Sequence, residues 1–320
     1  MQYRPLGSTG LDVSVLAFGA GPVPATMTSD NPSAQVAVVA RAIERGINWF
    51  DTAAGYGQGK SEAALGRALR ELGVGDRVHV ATKVRLAEDQ LDDIAGAVRK
   101  SVGESLARLG LDRITLLQLH NSVTARRGDE PTSLTPADVL GTGGVLEAME
   151  CMSSEGLVDH LGLTGIGQSV ALREVIRSGR CETMQVPYNL LNPSAGRDMP
   201  AGFDETDYGD VITDCAGMKM GVFAIRVLAG GALAGQAPSG HTLKTPFFPL
   251  ALYERDRQRA KQMAAALPDG MTMPEASVRF ALSHPSIASA IVGFSEPAQV
   301  DEAALWAERG SFPFERRTSK

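Results

Sequence analysis

Short apolar runs recur along the chain, separated by stretches with a helical period. Val15–Ala20, Ile47–Asp51, Val78–Lys83, Ile114–His120, His160–Thr164, Thr183–Tyr188, Gly221–Val227 and Ala288–Gly293 read as strands. They are apolar nearly throughout, the pattern of strands buried on both faces. Between the first two, Val36, Val39, Ala40 and Ile43 fall on one helical face. Between the third and fourth, Leu91, Ile94, Ala95, Val98, Val102 and Leu106 do so, with Asp93, Arg99, Lys100 and Glu104 opposite. Strand and helix in alternation predict a parallel sheet. Eight such units over 320 residues predict a closed α/β barrel, a (β/α)8 TIM barrel, in a single domain spanning 1–320. A doubly wound sheet is the competing arrangement. No G-x-G-x-x-G turn follows the first strand, which counts against it.

Three stretches are too long for simple turns: Asn121–Thr142, Asn192–Gly209 and Ala229–Pro249. Each follows a strand, so in a barrel all three lie on the C-terminal face, where long loops build active sites. Phe247, Phe248 and Tyr253 are candidates for lining a pocket there. Tyr3–Val13 reads as a hairpin around Gly7-Ser8-Thr9-Gly10.

Composition narrows the setting. A hydrophobic share of 43% suits a globular protein with a full core. The net charge of -6 leaves no electrostatic footprint for nucleic acid or an anionic membrane. Cys151, Cys181 and Cys215 are too few and too scattered for a disulfide framework or a zinc site. We therefore expect a reducing, cytoplasmic location and no metal. The apolar stretch Val13–Ala25 carries Gly19, Gly21, Pro22 and Pro24, and reads as the first barrel strand rather than a signal peptide. No run approaches a membrane span.

The candidate chemistry stands at the strand ends. Asp51, Tyr56, Lys83 and His120 follow or close three successive apolar runs. Tyrosine is a poor acid at neutral pH, with an unperturbed pKa of about 10. A nearby ammonium favours the phenolate, and a carboxylate keeps that ammonium charged and in place. Such a set can give a proton to a carbonyl oxygen, or take one back, while a hydride moves. Taken singly, each residue has a plainer reading: Asp a helix cap, Lys a solvated charge, His a core residue. Their occurrence at successive strand ends favours the chemical one.

The run Asn48-Trp49-Phe50-Asp51-Thr52-Ala53-Ala54-Gly55-Tyr56-Gly57, with Ser61-Glu62 and Leu65-Gly66, resembles the signature of the aldo-keto reductases. Tyr3–Leu11 and Gln185–Leu191 are also similar to that family, and the likeness runs from about Tyr3 to about Ala307. The resemblance implies that the N-terminal hairpin closes the bottom of the barrel. It implies that Tyr56 is the general acid or base, Lys83 its activator, Asp51 the partner of Lys83, and His120 the group that orients the carbonyl. It also implies NAD or NADP lying extended across the barrel mouth, with Gln185 on the nicotinamide carboxamide.

Other positions depart from the family pattern. Thr164 and Gly165 stand where the family usually has a Ser-Asn pair; Thr164 keeps a hydroxyl, and the contact of the second residue is missing or comes from elsewhere. Ile225 stands where an aromatic usually stacks on nicotinamide, and Arg226 and Leu228 follow. Arg226 reads either as a structural ion pair or as a clamp for phosphate or a polar substrate, suited to its planar fork of donors. Gly293, Ser295, Gln299 and Glu302 match the segment that opens the last helix, with Ser295 as its N-cap and Pro297 in the first turn. That helix start favours anions and is expected to hold the adenosine half. It lacks the basic residues that many NADPH-preferring members carry.

The leading expectation is an NAD(P)-dependent oxidoreductase acting on a small carbonyl or sugar: an aldehyde, a ketone, or an aldose at its anomeric carbon. The alternative is a cofactor-bound regulatory subunit with little turnover. A barrel lyase forming a Schiff base on Lys83 is a third reading, but it gives Tyr56 no role.

Overall fold

The computed structural model describes residues 1–243 and 250–312. In chain order it contains β1 (Tyr3–Pro5), β2 (Asp12–Ser14), β3 (Leu16–Gly19), α1 (Pro32–Glu44), β4 (Trp49–Asp51), α2 (Lys60–Leu72), β5 (His79–Val84), α3 (Ile94–Leu109), β6 (Ile114–Leu119), α4 (Pro136–Leu140), α5 (Val145–Ser154), β7 (Val158–Thr164), α6 (Ser169–Arg177), β8 (Thr183–Pro187), α7 (Val211–Gly217), β9 (Gly221–Ile225), α8 (Leu250–Ala264), α9 (Met273–Ser283), β10 (Ile287–Val292) and α10 (Pro297–Glu308). β3 to β10 close into a barrel in chain order, every neighbour parallel. All eight strands expected from the apolar runs are present, and the doubly wound alternative is excluded.

Alternation along each strand layers the barrel interior. Trp49, Ala81, Leu116 and Phe223 belong to one buried apolar cluster, joined by Leu6 and Val13 from the hairpin. Two residues further along, the same faces carry Asp51, Lys83, Gln118 and Ile225. The lower layer is therefore apolar and the upper one polar except at Ile225. β1 and β2 pair antiparallel and cap the lower end. Ser8 N–H donates to the Lys219 carbonyl just before β9, and Arg4 donates to the carbonyls of Ile287 and Leu282. The expected plug is present.

α1 corrects the sequence reading. Of the expected Val36, Val39, Ala40 and Ile43, Val39 is fully buried and Val36 and Ile43 pack partly buried on the core, but the buried face is centred on Gln35, Val38, Val39 and Ala42. The reason is Gln35, whose amide donates to the Thr26 and Ser29 carbonyls at 3.1 and 2.7 Å and so stands inward despite being polar. α10 also starts one residue late. Glu296, extended at φ -152°, is its N-cap residue, Pro297 is the first helical residue, and no side chain caps the end. Ser295 is not the cap, because the residue before a proline is held extended.

Of the long segments, 121–142 contains α4 and 192–209 a single 3-10 turn, Ser194–Gly196. After β9 comes the 3-10 segment Ala229–Ala234. Phe247 and Phe248 lie outside the described residues. Tyr253 packs into α8, buried, and its hydroxyl donates to the Gln236 carbonyl at 3.2 Å, so it fastens that segment.

Candidate active site

The turn that carries Tyr56 is set by backbone geometry and by ties to three neighbours. Gly57, Gln58 and Gly59 are all left-handed, at φ 59°, 55° and 87°. A Cβ at Gly57 would lie 2.9 Å from the Thr28 side chain, so both the backbone and the space favour glycine there. α2 then begins. Its Ser61 hydroxyl donates to Ala20 O at 2.6 Å and pairs with Thr52 at 2.8 Å. Glu62, wholly buried, receives the Thr82 hydroxyl from β5 and Arg108 from α3, at 2.6 and 2.7 Å. The Ser61-Glu62 pair in the sequence thus anchors the tyrosine turn to β3, β5 and α3.

Lys83 on β5 is 1% exposed. Its ammonium donates to Asp51 Oδ1 at 2.5 Å, to Thr52 O at 2.8 Å and to the Tyr56 hydroxyl oxygen at 3.4 Å. An ammonium has three N–H groups and no lone pair. All three are spent, and the phenol oxygen can only accept from it. The phenolic proton is left to point elsewhere. Burial works against the Lys83 charge, but Asp51 and Tyr56, through charge and hydrogen bonds, outweigh it and hold the pKa above its ordinary value.

His120 directly follows β6. Its N–H donates to Val84 O at 2.8 Å, and its carbonyl accepts from Arg85 at 3.0 Å. The ring meets that of Tyr56 edge-on, with centroids 5.7 Å apart. Burial above all, then the charges of Lys83 and Arg85, push the imidazole pKa well below its usual value. At neutral pH the ring is therefore uncharged, with one N–H to donate.

Sequence reasoning missed Gln118. It is fully buried in β6, directly beside Lys83 in the ladder, and its Nε2 reaches Asp51 Oδ2 at 3.3 Å. Its signal was available: it is the polar residue of an apolar run and shares a face with His120. Gln185 on β8 also turns its Nε2 to Asp51 Oδ2, at 2.5 Å. Asp51 thus joins one ammonium and two amides from four strands, β4, β5, β6 and β8.

Thr164 closes β7, buried, and its hydroxyl donates to Leu119 O at 3.0 Å. Gly165 is explained by packing: a Cβ there would lie 2.2 Å from the Met184 methyl and 3.0 Å from the Gln185 carbonyl. Ile225 ends β9, and Leu228 heads the 3-10 segment; both are half-buried. Arg226 lies between them with a left-handed backbone, its carbonyl accepting from Asn189 Nδ2 at 3.0 Å. Burial lowers its pKa to about 10, opposed by Tyr208, Asp256 and Glu205 from the loop after β8 and from α8. Glu205 is shared with Arg255 and Arg259 of α8.

The residues expected after β10 form a second cluster. Gly293 packs against Val23 and Pro24, Thr26 donates to Ser295 O, and Ser295 N–H donates to Gln299 Oε1 at 2.7 Å. Glu302 is exposed on α10. The segment after β3 links this cluster to the first, since a Cβ at Gly21 would touch the Tyr56 ring at 3.7 Å. Among the described residues no three His, Cys, Asp or Glu side chains converge as a metal site, and no helix is long and apolar enough to cross a membrane.

This arrangement has counterparts. An L-galactose dehydrogenase of Arabidopsis thaliana is 29% identical over 304 residues, covering 94% of this chain and 86% of that protein. A D-threo-aldose 1-dehydrogenase of a Pseudomonas species is 28% identical over 341 residues, covering 94% of each. Among solved structures, the holo form of an aldo-keto reductase from Bacillus halodurans superposes with a TM-score of 0.72 at 22% identity, over 98% of this chain and 93% of that one, a likeness of fold. The sequence profile of the Aldo/keto reductase family matches residues 15–309, and the chain belongs to that family, an oxidoreductase built on a (β/α)8 barrel.

Proposed function

We propose that the protein transfers a hydride between a nicotinamide dinucleotide and a carbonyl or alcohol carbon, with Tyr56 as the proton donor and acceptor. One observation carries this reading: Lys83 spends all three N–H groups on Asp51, Thr52 and Tyr56, so the phenol keeps its own proton for a substrate oxygen. When bound, the nicotinamide supplies the hydride or takes it up. In reduction Tyr56 gives its proton to the carbonyl oxygen; in oxidation it removes the proton of the hydroxyl. Lys83 stabilises the charge on the phenol oxygen once the proton has left. Neutral His120 donates to the same substrate oxygen and orients it.

The residues present fit the cofactor. A carboxylate only accepts, so Asp51 draws the Nε2 side of Gln185 and fixes its amide the right way round. The Gln185 oxygen is then the acceptor available to a carboxamide N–H. Thr164, Ile225, Arg226 and Leu228 would line the nicotinamide side, and Gly293, Ser295, Gln299 and Glu302 the adenosine side.

The two sugar dehydrogenases among its relatives favour an aldose, oxidised at the anomeric carbon, as the substrate class. The test is a panel of aldoses with NAD and NADP, and of aldehydes with NADH and NADPH, followed at the nicotinamide band. Steady turnover that is lost in Tyr56→Phe is the expected result. Cofactor binding without turnover across the panel would instead favour the regulatory subunit.

A further inference from the structure

We propose that Gln118 is a positioning residue, the second clamp that holds the Asp51 carboxylate in the plane from which it directs Lys83 to Tyr56. Asp51 binds Lys83 through Oδ1 alone. The other oxygen, Oδ2, is what stops the carboxylate from turning, and among the described residues Gln185 and Gln118 are bonded to it. Gln185 has a second role at its other end, because the cofactor reading above gives its oxygen to a carboxamide N–H while its Nε2 stays on Asp51. That reading gives Gln118 no such role. It is wholly buried, flanked in the ladder by Lys83 on one side and Gly162 on the other, and its side chain donates to Asp51.

Its other end shows that packing is not what selects it. Gln118 Oε1 is buried and receives no hydrogen bond from the protein among the described residues. A buried amide oxygen without a donor is unfavourable, and an apolar side chain of the same length would remove that cost. A glutamine kept there against stability suits a role in the site. Thr183, also inside the barrel, has its hydroxyl in the same condition. Among the described residues, the hydrogen bond that the protein gives the Gln118 amide is the one to Asp51.

The test is Gln118→Met, nearly isosteric, in the cofactor-loaded protein. Loss of one hydrogen bond to a charged group should lower kcat by about ten- to a hundredfold, with the Kd for cofactor unchanged and Tm equal or higher. Gln118→Glu is the second variant. It sets a second carboxylate against Asp51, so its kcat relative to wild type should fall as pH rises and the new carboxyl ionises. A purely structural residue would show the reverse in Gln118→Met: lower Tm with kcat intact, which would overturn the proposal. The proposal rests on the hydride-transfer reading, so a crystal structure of Gln118→Met is the readout independent of turnover. Asp51 rotated away from Lys83 supports the clamp, and Asp51 unmoved overturns it. If wild type turns over nothing in the panel, hydride transfer fails as the function while the position of Asp51 still decides the clamp.

Discussion

Tyr56 and Lys83 differ in what their loss should do, although they touch. Tyr56 is half-buried and is bonded through one oxygen, so Tyr56→Phe should fold as wild type and bind cofactor normally. Its turnover should drop about 10²–10⁴-fold, the usual cost of a missing general acid. Near wild-type kcat would remove Tyr56 from the mechanism. Lys83→Met should lose activity and stability together, because it leaves Asp51 charged, buried and without its cation. Breaking such a pair costs about 3–5 kcal/mol. Asp51→Asn in the same chain should restore most of the denaturant midpoint but none of the activity. Asp51, Lys83 and His120 stood out in the sequence because each is polar and closes or follows an apolar run, and Tyr56 because it stands in the turn after one; the structure gathers all four. Gln118 stood in the same run as His120 and was passed over. An uncharged side chain two residues short of a strand end looks like tolerated polarity until its partner is seen across the barrel.

Among the elements, the strands were legible and the helix faces less so. Burial on both sides makes a strand apolar whatever it abuts, whereas the inward face of α1 depends on Gln35 finding two carbonyls, and hydropathy alone assigns that residue outward. The start of α10 was misplaced by one residue for a similar reason, since Ser295 has the chemistry of a cap but Pro297 sets the boundary. One strand pairing carries a pH prediction. His160 on β7 bonds Glu182, which precedes β8, at 2.9 Å. The hydrogen bond to Glu182 raises the His160 pKa above 6.5, against partial burial. Burial pushes the Glu182 carboxyl up, but His160 overrides it and leaves the pKa below 4.5. A raised histidine stabilises fully below 6.5 and loses this as pH rises through its folded value; a lowered carboxylate stabilises above 4.5 and loses this as pH falls. The pair therefore acts most between those two values. His79 opposes it at low pH, because burial and then the His160 charge lower its own pKa. His160→Gln should thus cost more stability at about pH 5.5 than at about pH 8.5, by less than about 1 kcal/mol given the exposure of both groups. Urea midpoints of the two proteins at each pH measure it, and an equal difference at both would mean that the pair does not titrate as described.

At the scale of the whole molecule, the reading of a dinucleotide stretched across the mouth joins two sites of different character. The catalytic end is a closed electrostatic circuit, in which each charge has a partner within the barrel. The far end, at the start of α10, is poorer. Glu296 is the N-cap residue and exposed, Gln299 spends its amide oxygen on Ser295 N–H, and the first turn carries no basic residue. Arg41 of α1 and Arg45 just after it, which reach α10, are bonded to Asp301. A 2′-phosphate carrying up to about two negative charges gains little from such surroundings and meets the Glu296 carboxylate as well. We therefore expect weak discrimination, with kcat/KM for NADPH over NADH within about a hundredfold, or roughly 2.7 kcal/mol. The stronger test adds the missing charge. Gln299→Arg should raise that ratio about tenfold or more, the worth of one charge-assisted hydrogen bond, while leaving kcat with NADH near wild type because the change is remote from Tyr56. If wild type already prefers NADPH by more than a hundredfold and Gln299→Arg leaves the ratio where it was, the phosphate is read by another cation. Arg226, half-buried beyond β9 and under the influence of Tyr208, Asp256 and Glu205, is then the first residue to replace.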